Sequence, residues 1–129
     1  MGKQFIVIGS ILGFLTVALG AFGAHAIRST ITAEHFATYQ TAIQYLGLHT
    51  FAVIVSGLLC WLRPDLKSPR AAGWLFLIGT LTFSGSLIAL ALTGVKWLGA
   101  ITPIGGACFL AGWISLTVAA ASLPEYRSS

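Results

Sequence analysis

Charge is what this chain has least of. Lysine, arginine, aspartate and glutamate make up 8% of its 129 residues, while 57% are hydrophobic; an ordinary soluble domain carries about 25% charge. A soluble chain of this length could bury a core, but it needs polar side chains to cover the outside, and here they are missing. Acids are scarcest. Glu34, Asp65 and Glu125 are the only three, and all fall in loops or at the edges of the apolar stretches. No buried carboxylate is left to orient a catalytic histidine or to complete a metal's ligand set. The two cysteines, Cys60 and Cys108, are too few for a disulfide framework and lack metal-type spacing. Both lie in apolar sequence and read as small buried side chains.

What the chain has instead is four long apolar stretches, at about 5–27, 42–62, 71–93 and 104–123. Each supplies roughly the 20 residues that cross a hydrocarbon core of about 30 Å. The expected fold is all-α: one transmembrane domain over 1–129, built as an antiparallel four-helix bundle with little outside the bilayer. The first stretch has a competing reading. Lys3, the apolar run and Ala24-His25-Ala26 resemble a signal peptide with an A-x-A cleavage site, but the run exceeds the usual ~7–15 residues. A retained first span is the expectation.

The gaps between the stretches carry helix punctuation. Thr32 is a good N-cap, and Glu34 in the next turn suits the positive end of a helix dipole. The second helix is expected to begin as an interfacial amphipathic segment over about 33–41 and to enter the bilayer near Ala42. Arg63-Pro64 ends it. Ser68-Pro69 and Thr102-Pro103 each read as a cap followed by an N1 proline. Gly94 suits a C-terminal cap, and Pro124 closes the last helix.

A net charge of +4 and a pI near 9.5 do not point to nucleic acid here, because the basic residues flank spans rather than forming a run. They give topology. Lys3, Arg63, Lys67, Arg70 and Arg127 fall on one side and Arg28 and Lys96 on the other, so the positive-inside rule puts both termini and the basic 63–70 loop in the cytoplasm. The expected location is the cell's inner membrane. Trp61, Trp74 and Trp97 fit an aromatic belt at the two interfaces. Trp113 lies in mid-span, and its indole N–H needs a partner inside the bundle.

Small residues suggest how the helices pack. Gly9, Gly13, Gly20 and Gly23 in the first span, Gly79 in the third, and Gly105 and Gly112 in the fourth belong to ridges at alternating steps of three and four. That heptad spacing predicts left-handed packing with close backbone approach.

Polar side chains within spans cost free energy unless paired, so they are the best functional clue. His25, Gln44, Tyr45, His49, Ser84, Ser86, Lys96 and Thr102 gather toward the outer half of the expected bundle, with His49 facing its interior. Three chemistries compete for this cluster: a metal site on His25 and His49, a proton or solute path, and a structural network of interhelical hydrogen bonds. Nucleophilic catalysis by Ser84 or Ser86 with His49 lacks an acid to orient the base. The apolar 94–106 segment is read either as folding back over the bundle mouth or as an interfacial turn anchored by Trp97.

The strings GAFGAHAI at 20–27, TAIQYLGLHT at 41–50, FSGSLIALALTG at 83–94 and WLGAITPIGG at 97–106 resemble the YgdD-like family of small bacterial inner-membrane proteins. That family has a mitochondrial relative and was long catalogued as a domain of unknown function. The resemblance covers nearly the whole chain. It implies a four-helix membrane protein and supports retention of the first span; it carries no activity, cofactor or catalytic residues with it. The expectation is a non-enzymatic protein acting through helix–helix contacts, as a homo-oligomer or in a larger membrane complex. No cofactor, metal or nucleic-acid partner is expected beside the lipid bilayer. The alternative is a small permease or channel whose path is lined by His49, Tyr45, Gln44 and Ser86.

Overall fold

The computed structural model describes residues 1–128. They form four long apolar helices: α1 (Gly2–Ile27), α2 (Ala33–Leu62), α3 (Ser68–Thr93) and α4 (Thr102–Ala121), the last preceded by a 3-10 turn over Lys96–Ala100. Each is long and apolar enough to cross a membrane, counting that 3-10 turn with α4. The described residues are all-α, with four candidate membrane spans.

Local chemistry sets the helix ends. The Thr32 hydroxyl accepts from the backbone N–H of His35 at 3.1 Å, capping α2. From there α2 runs unbroken for 30 residues, so 33–41 and the apolar 42–62 stretch form one rod. Gly94 closes α3 at φ 71°, a conformation costly for residues with a Cβ. Two expected caps are displaced by one position. Ser68 and Thr102 are the first helical residues rather than caps, and neither α3 nor α4 begins with a side-chain cap hydrogen bond. For Thr102 the reason is visible: its hydroxyl is taken by Ser86, 2.6 Å away. The 94–106 segment carries a 3-10 turn before α4. None of the residues in its 3-10 turn is buried, and Trp97 stays 65% exposed.

Two helices are not α-helical throughout. α1 widens into a π turn over Gly23–Ile27, and α3 does so over Thr80–Ser84. Such wide turns change the face that following residues present. In α3, Ser84 reaches α2, and Ser86, two residues on and so on the opposite side of the helix, reaches α4.

In the packing α1 lies along α2 and α4 along α3, while α2 and α3 meet in the middle. The main core joins Phe5 of α1, Ala52 and Val53 of α2, Ala72, Phe76 and Leu77 of α3, and Phe109 of α4. A smaller cluster of Ile27, Tyr39 and Ala91 closes the end of the bundle that carries the α1–α2 connection. The outward faces are apolar, with Phe14 and Val17 of α1 each 73% exposed; in a bilayer that is the surface offered to lipid.

Glycines set how closely these elements approach, and in two ways. Gly2 and Gly57 pack backbone to backbone, so that a Cβ on Gly2 would lie 2.7 Å from the Gly57 carbonyl oxygen. Elsewhere the glycine is a notch for an aromatic ring. Tyr39 sits against Gly23, Phe5 against Gly73, Phe109 against Gly79 and Phe76 against Gly112, whereas Gly105 admits the backbone of Phe83. Gly9 approaches Ile54, whereas Gly13 and Gly20 have looser neighbours in Thr50 and Ile43.

Candidate functional site

The polar side chains of the spans fall into separate joints. At the centre is His49, 2% exposed, placed on the inner face of α2 beside Ala52 and Val53. Its Nδ1 lies 2.8 Å from the backbone oxygen of Tyr45, one turn back. Its Nε2 lies 3.1 Å from Nε1 of Trp113 on α4. An indole nitrogen can only donate, so Nε2 must accept. Nδ1 therefore carries the proton and donates it to the carbonyl. The imidazole is neutral, and both nitrogens are occupied.

An aromatic box holds the ring in place. Phe109 stacks on it with centroids 3.5 Å apart and planes 7° from parallel. Trp113 meets it edge-on at 5.8 Å, and Phe76 lies tilted at 5.7 Å. Tyr45 lies beside it at 6.0 Å, in contact with Phe109 as well at 6.2 Å, and its own ring contacts Phe83 at 4.5 Å. The box draws its walls from α2, α3 and α4. Such pairs contribute beyond simple burial, typically about 0.5–1.5 kcal/mol each.

The second joint is Ser84, whose hydroxyl donates to the backbone oxygen of Ala42 at 2.8 Å, linking α3 to α2. The third is the Ser86–Thr102 hydroxyl pair, which links α3 to the start of α4. Thr50 and Ser56 turn back onto the carbonyls four residues earlier in α2, the usual way a membrane helix satisfies a hydroxyl. Thr80 breaks the pattern. It is 3% exposed, and its hydroxyl is the one buried side-chain polar atom without a partner among the described residues. It stands at the start of the α3 π turn.

The other expected site residues lie apart from these joints. His25 is exposed in the π turn of α1. That turn packs at Gly23 on Tyr39, ten residues before His49 in α2, a separation of about 15 Å along the helix. The two histidines therefore cannot share a metal ion. No group of three or more metal-ligating side chains occurs among the described residues. Gln44 is exposed beside a shallow cavity of about 210 Å³ between α1 and α2, near Phe36 and Tyr39. Lys96 is exposed in the 3-10 turn. Both cysteines are free.

Between α2 and α4 an open groove of about 490 Å³ passes over this aromatic box, with Phe83 and Phe109 in its floor and Leu48 and Leu110 at its sides. Its lining is carbon except at Tyr45, His49 and Trp113, and the last two are already bonded to each other.

A family model described as a protein of unknown function, DUF423, matches residues 19–106, a stretch that holds the Ser84 and Ser86 joints and His49 but not its partners Phe109 and Trp113. The chain belongs to the DUF423 family. It is 41% identical over 118 residues to the UPF0382 membrane protein YwdK of Bacillus subtilis, covering 92% of this chain and 96% of that one. It is 38% identical over 116 residues to the UPF0382 membrane protein SH2409 of Staphylococcus haemolyticus, covering 90% and 93%. No solved structure matches it. Within this DUF423 chain, Phe76, Phe83 and Phe109 are the site residues that sequence reasoning passed over. Their signal is the spacing Tyr45–His49, Phe76–Phe83 and Phe109–Trp113, steps of four and seven that place each pair on one helix face.

Proposed function

We propose that this DUF423 protein is a non-enzymatic membrane protein that acts through helix–helix contacts, as an assembly partner in a larger membrane complex or as a homo-oligomer. The observation that carries this reading is the use of its buried polar groups. Apart from the Thr80 hydroxyl, every buried side-chain polar atom among the described residues has a hydrogen-bond partner inside the bundle. A conducting path needs groups free to trade partners with its cargo; His49, Ser84 and Ser86 are committed to holding helices together. The surface available for contact is largest on α1, the least buried of the four helices.

The same reading includes left-handed crossing of antiparallel helices, supported by the heptad spacing of Gly9, Gly13, Gly20 and Gly23. It also includes an inner-membrane location with both termini cytoplasmic, supported by the lysine and arginine bias toward the 63–70 loop and the chain ends.

Purified protein in proteoliposomes tests the reading. Proton and ion flux is expected to equal that of empty vesicles, while site-directed crosslinking from Phe14 or Val17 in native membranes gives one discrete adduct. Flux that His49→Ala abolishes contradicts it.

A further inference from the structure

α1 and α3 touch closely at one end of the bundle and part beyond it. At the contact, the Phe5 ring lies on Gly73 and meets Trp74 edge-on, with centroids 5.6 Å apart and planes at 79°. Beyond it the helices leave a cavity of about 240 Å³, lined by Ile8 and Leu12 of α1 and by Trp74, Leu77, Ile78 and Leu81 of α3. Thr80 alone interrupts its hydrocarbon wall. From Trp74 to Leu81 the slot runs about 10 Å along the helix axis.

The mouth of the slot is positive. Residues 74, 78 and 81 share a helix face with Arg70, one turn nearer the start of α3. Arg70 is exposed, and the contacts of Phe5 with Gly73 and Trp74 bring the starts of α3 and α1 together. Lys3, in the first turn of α1, is a further exposed cation at this end of the bundle. The acid in the adjoining loop, Asp65, is already engaged: Arg63 donates to its two oxygens at 2.9 and 2.7 Å. Arg70 and Lys3 have no carboxylate partner among the described residues.

We propose that this slot binds an anionic phospholipid, one acyl chain lying between α1 and α3 and the phosphate held by Arg70 and the amino-terminal end of α1. The dimensions favour a chain over a helix, because a helix with its side chains is about 10–12 Å across. Unpaired cations at the mouth favour a headgroup of net negative charge over a zwitterionic one.

Thermal unfolding of the full chain in mixed micelles tests this with two probes, dioleoylphosphatidylglycerol and dioleoylphosphatidylcholine. The glycerol lipid is expected to raise Tm by roughly 5 °C over the choline lipid. Arg70→Gln should lose most of that difference and Arg127→Gln none of it. Ile78→Trp, which fills the slot, should lose it while keeping its Tm in phosphatidylcholine. Should Arg70→Gln fail to fold, Lys3→Gln takes its place. An equal rise with both lipids overturns the proposal. So does an equal loss in Arg70→Gln and Arg127→Gln, which marks unspecific charge attraction. An undiminished rise in Ile78→Trp also overturns it, because the headgroup then binds without the slot.

Discussion

The indole N–H of Trp113 donates to Nε2 of His49 across 3.1 Å, and this single contact fixes the histidine's proton on Nδ1. Joined in this way, α2 and α4 are tied together by side chains that both meet Phe76 of α3. The two residues belong to one joint, but they should not contribute equally. His49→Ala removes the hydrogen bonds and the stack on Phe109 and leaves a cavity, so it should cost about 2–4 kcal/mol. Trp113→Phe keeps an aromatic ring and deletes only the donor, so about 1 kcal/mol is expected. Unfolding of both variants in detergent checks the order; a relay histidine with no structural role predicts no loss in either.

Gly105 and Gly85 make a matched pair for testing the packing. A Cβ on Gly105 would lie 2.5 Å from the backbone nitrogen of Phe83, whereas one on Gly85 meets nothing within 4 Å. Gly105→Ala should therefore destabilise by about 1–3 kcal/mol through overpacking. Gly85→Ala should be neutral, or stabilising by up to about 1 kcal/mol from the lower chain entropy of alanine. Thermal denaturation of the two variants side by side measures the difference.

Proline and glycine punctuation made the helices legible in the sequence: Pro64, Gly94 and Pro103 mark chain breaks that the structure places at or beside helix ends. The π turns were not legible. A turn of Thr80–Ser84 has the same composition whether it closes with α or π hydrogen bonds, so its composition cannot show which it takes. For the site, the need of mid-span Trp113 for a partner and the inward register of His49 were both readable. Their pairing was not, because it joins helices that are not neighbours in the chain and depends on how far each slides along α3. Glycine spacing showed where helices come close. It could not show that Tyr39, Phe76 and Phe109 fill those notches, since a ring reaches its notch from another helix.

Thr80 is the residue whose removal should help. Its hydroxyl is buried without a partner, and valine has nearly the same shape. Thr80→Val should stabilise the protein by about 1 kcal/mol, the penalty of an unsatisfied hydroxyl in apolar surroundings. The measurement is the shift in detergent unfolding midpoint. Thr50→Val, which deletes a hydroxyl bonded to Leu46 at 2.9 Å, should not stabilise and serves as the comparison.

In the α2–α3 loop, the hydrogen bonds from Arg63 hold the Asp65 carboxyl below its ordinary range. Because the folded value is depressed, the stabilisation is present above the ordinary carboxylate value and lost as pH falls through the depressed one. Both groups meet solvent, so the effect on stability is small. The carboxyl carbon resonance of Asp65, followed by NMR from neutral to acid pH, should titrate low, and Arg63→Gln should move it upward.

The central claim is that His49 is a structural joint rather than a relay. Nitrogen NMR of the protein in lipid bilayers, with the histidine rings labelled and His49 assigned, tests it most directly. The predicted spectrum at neutral pH has one neutral His49 species, protonated at Nδ1 and bare at Nε2, with the Nε2 signal shifted by Trp113→Phe. A His49 ring protonated at Nε2, or exchanging between protonation states, contradicts it.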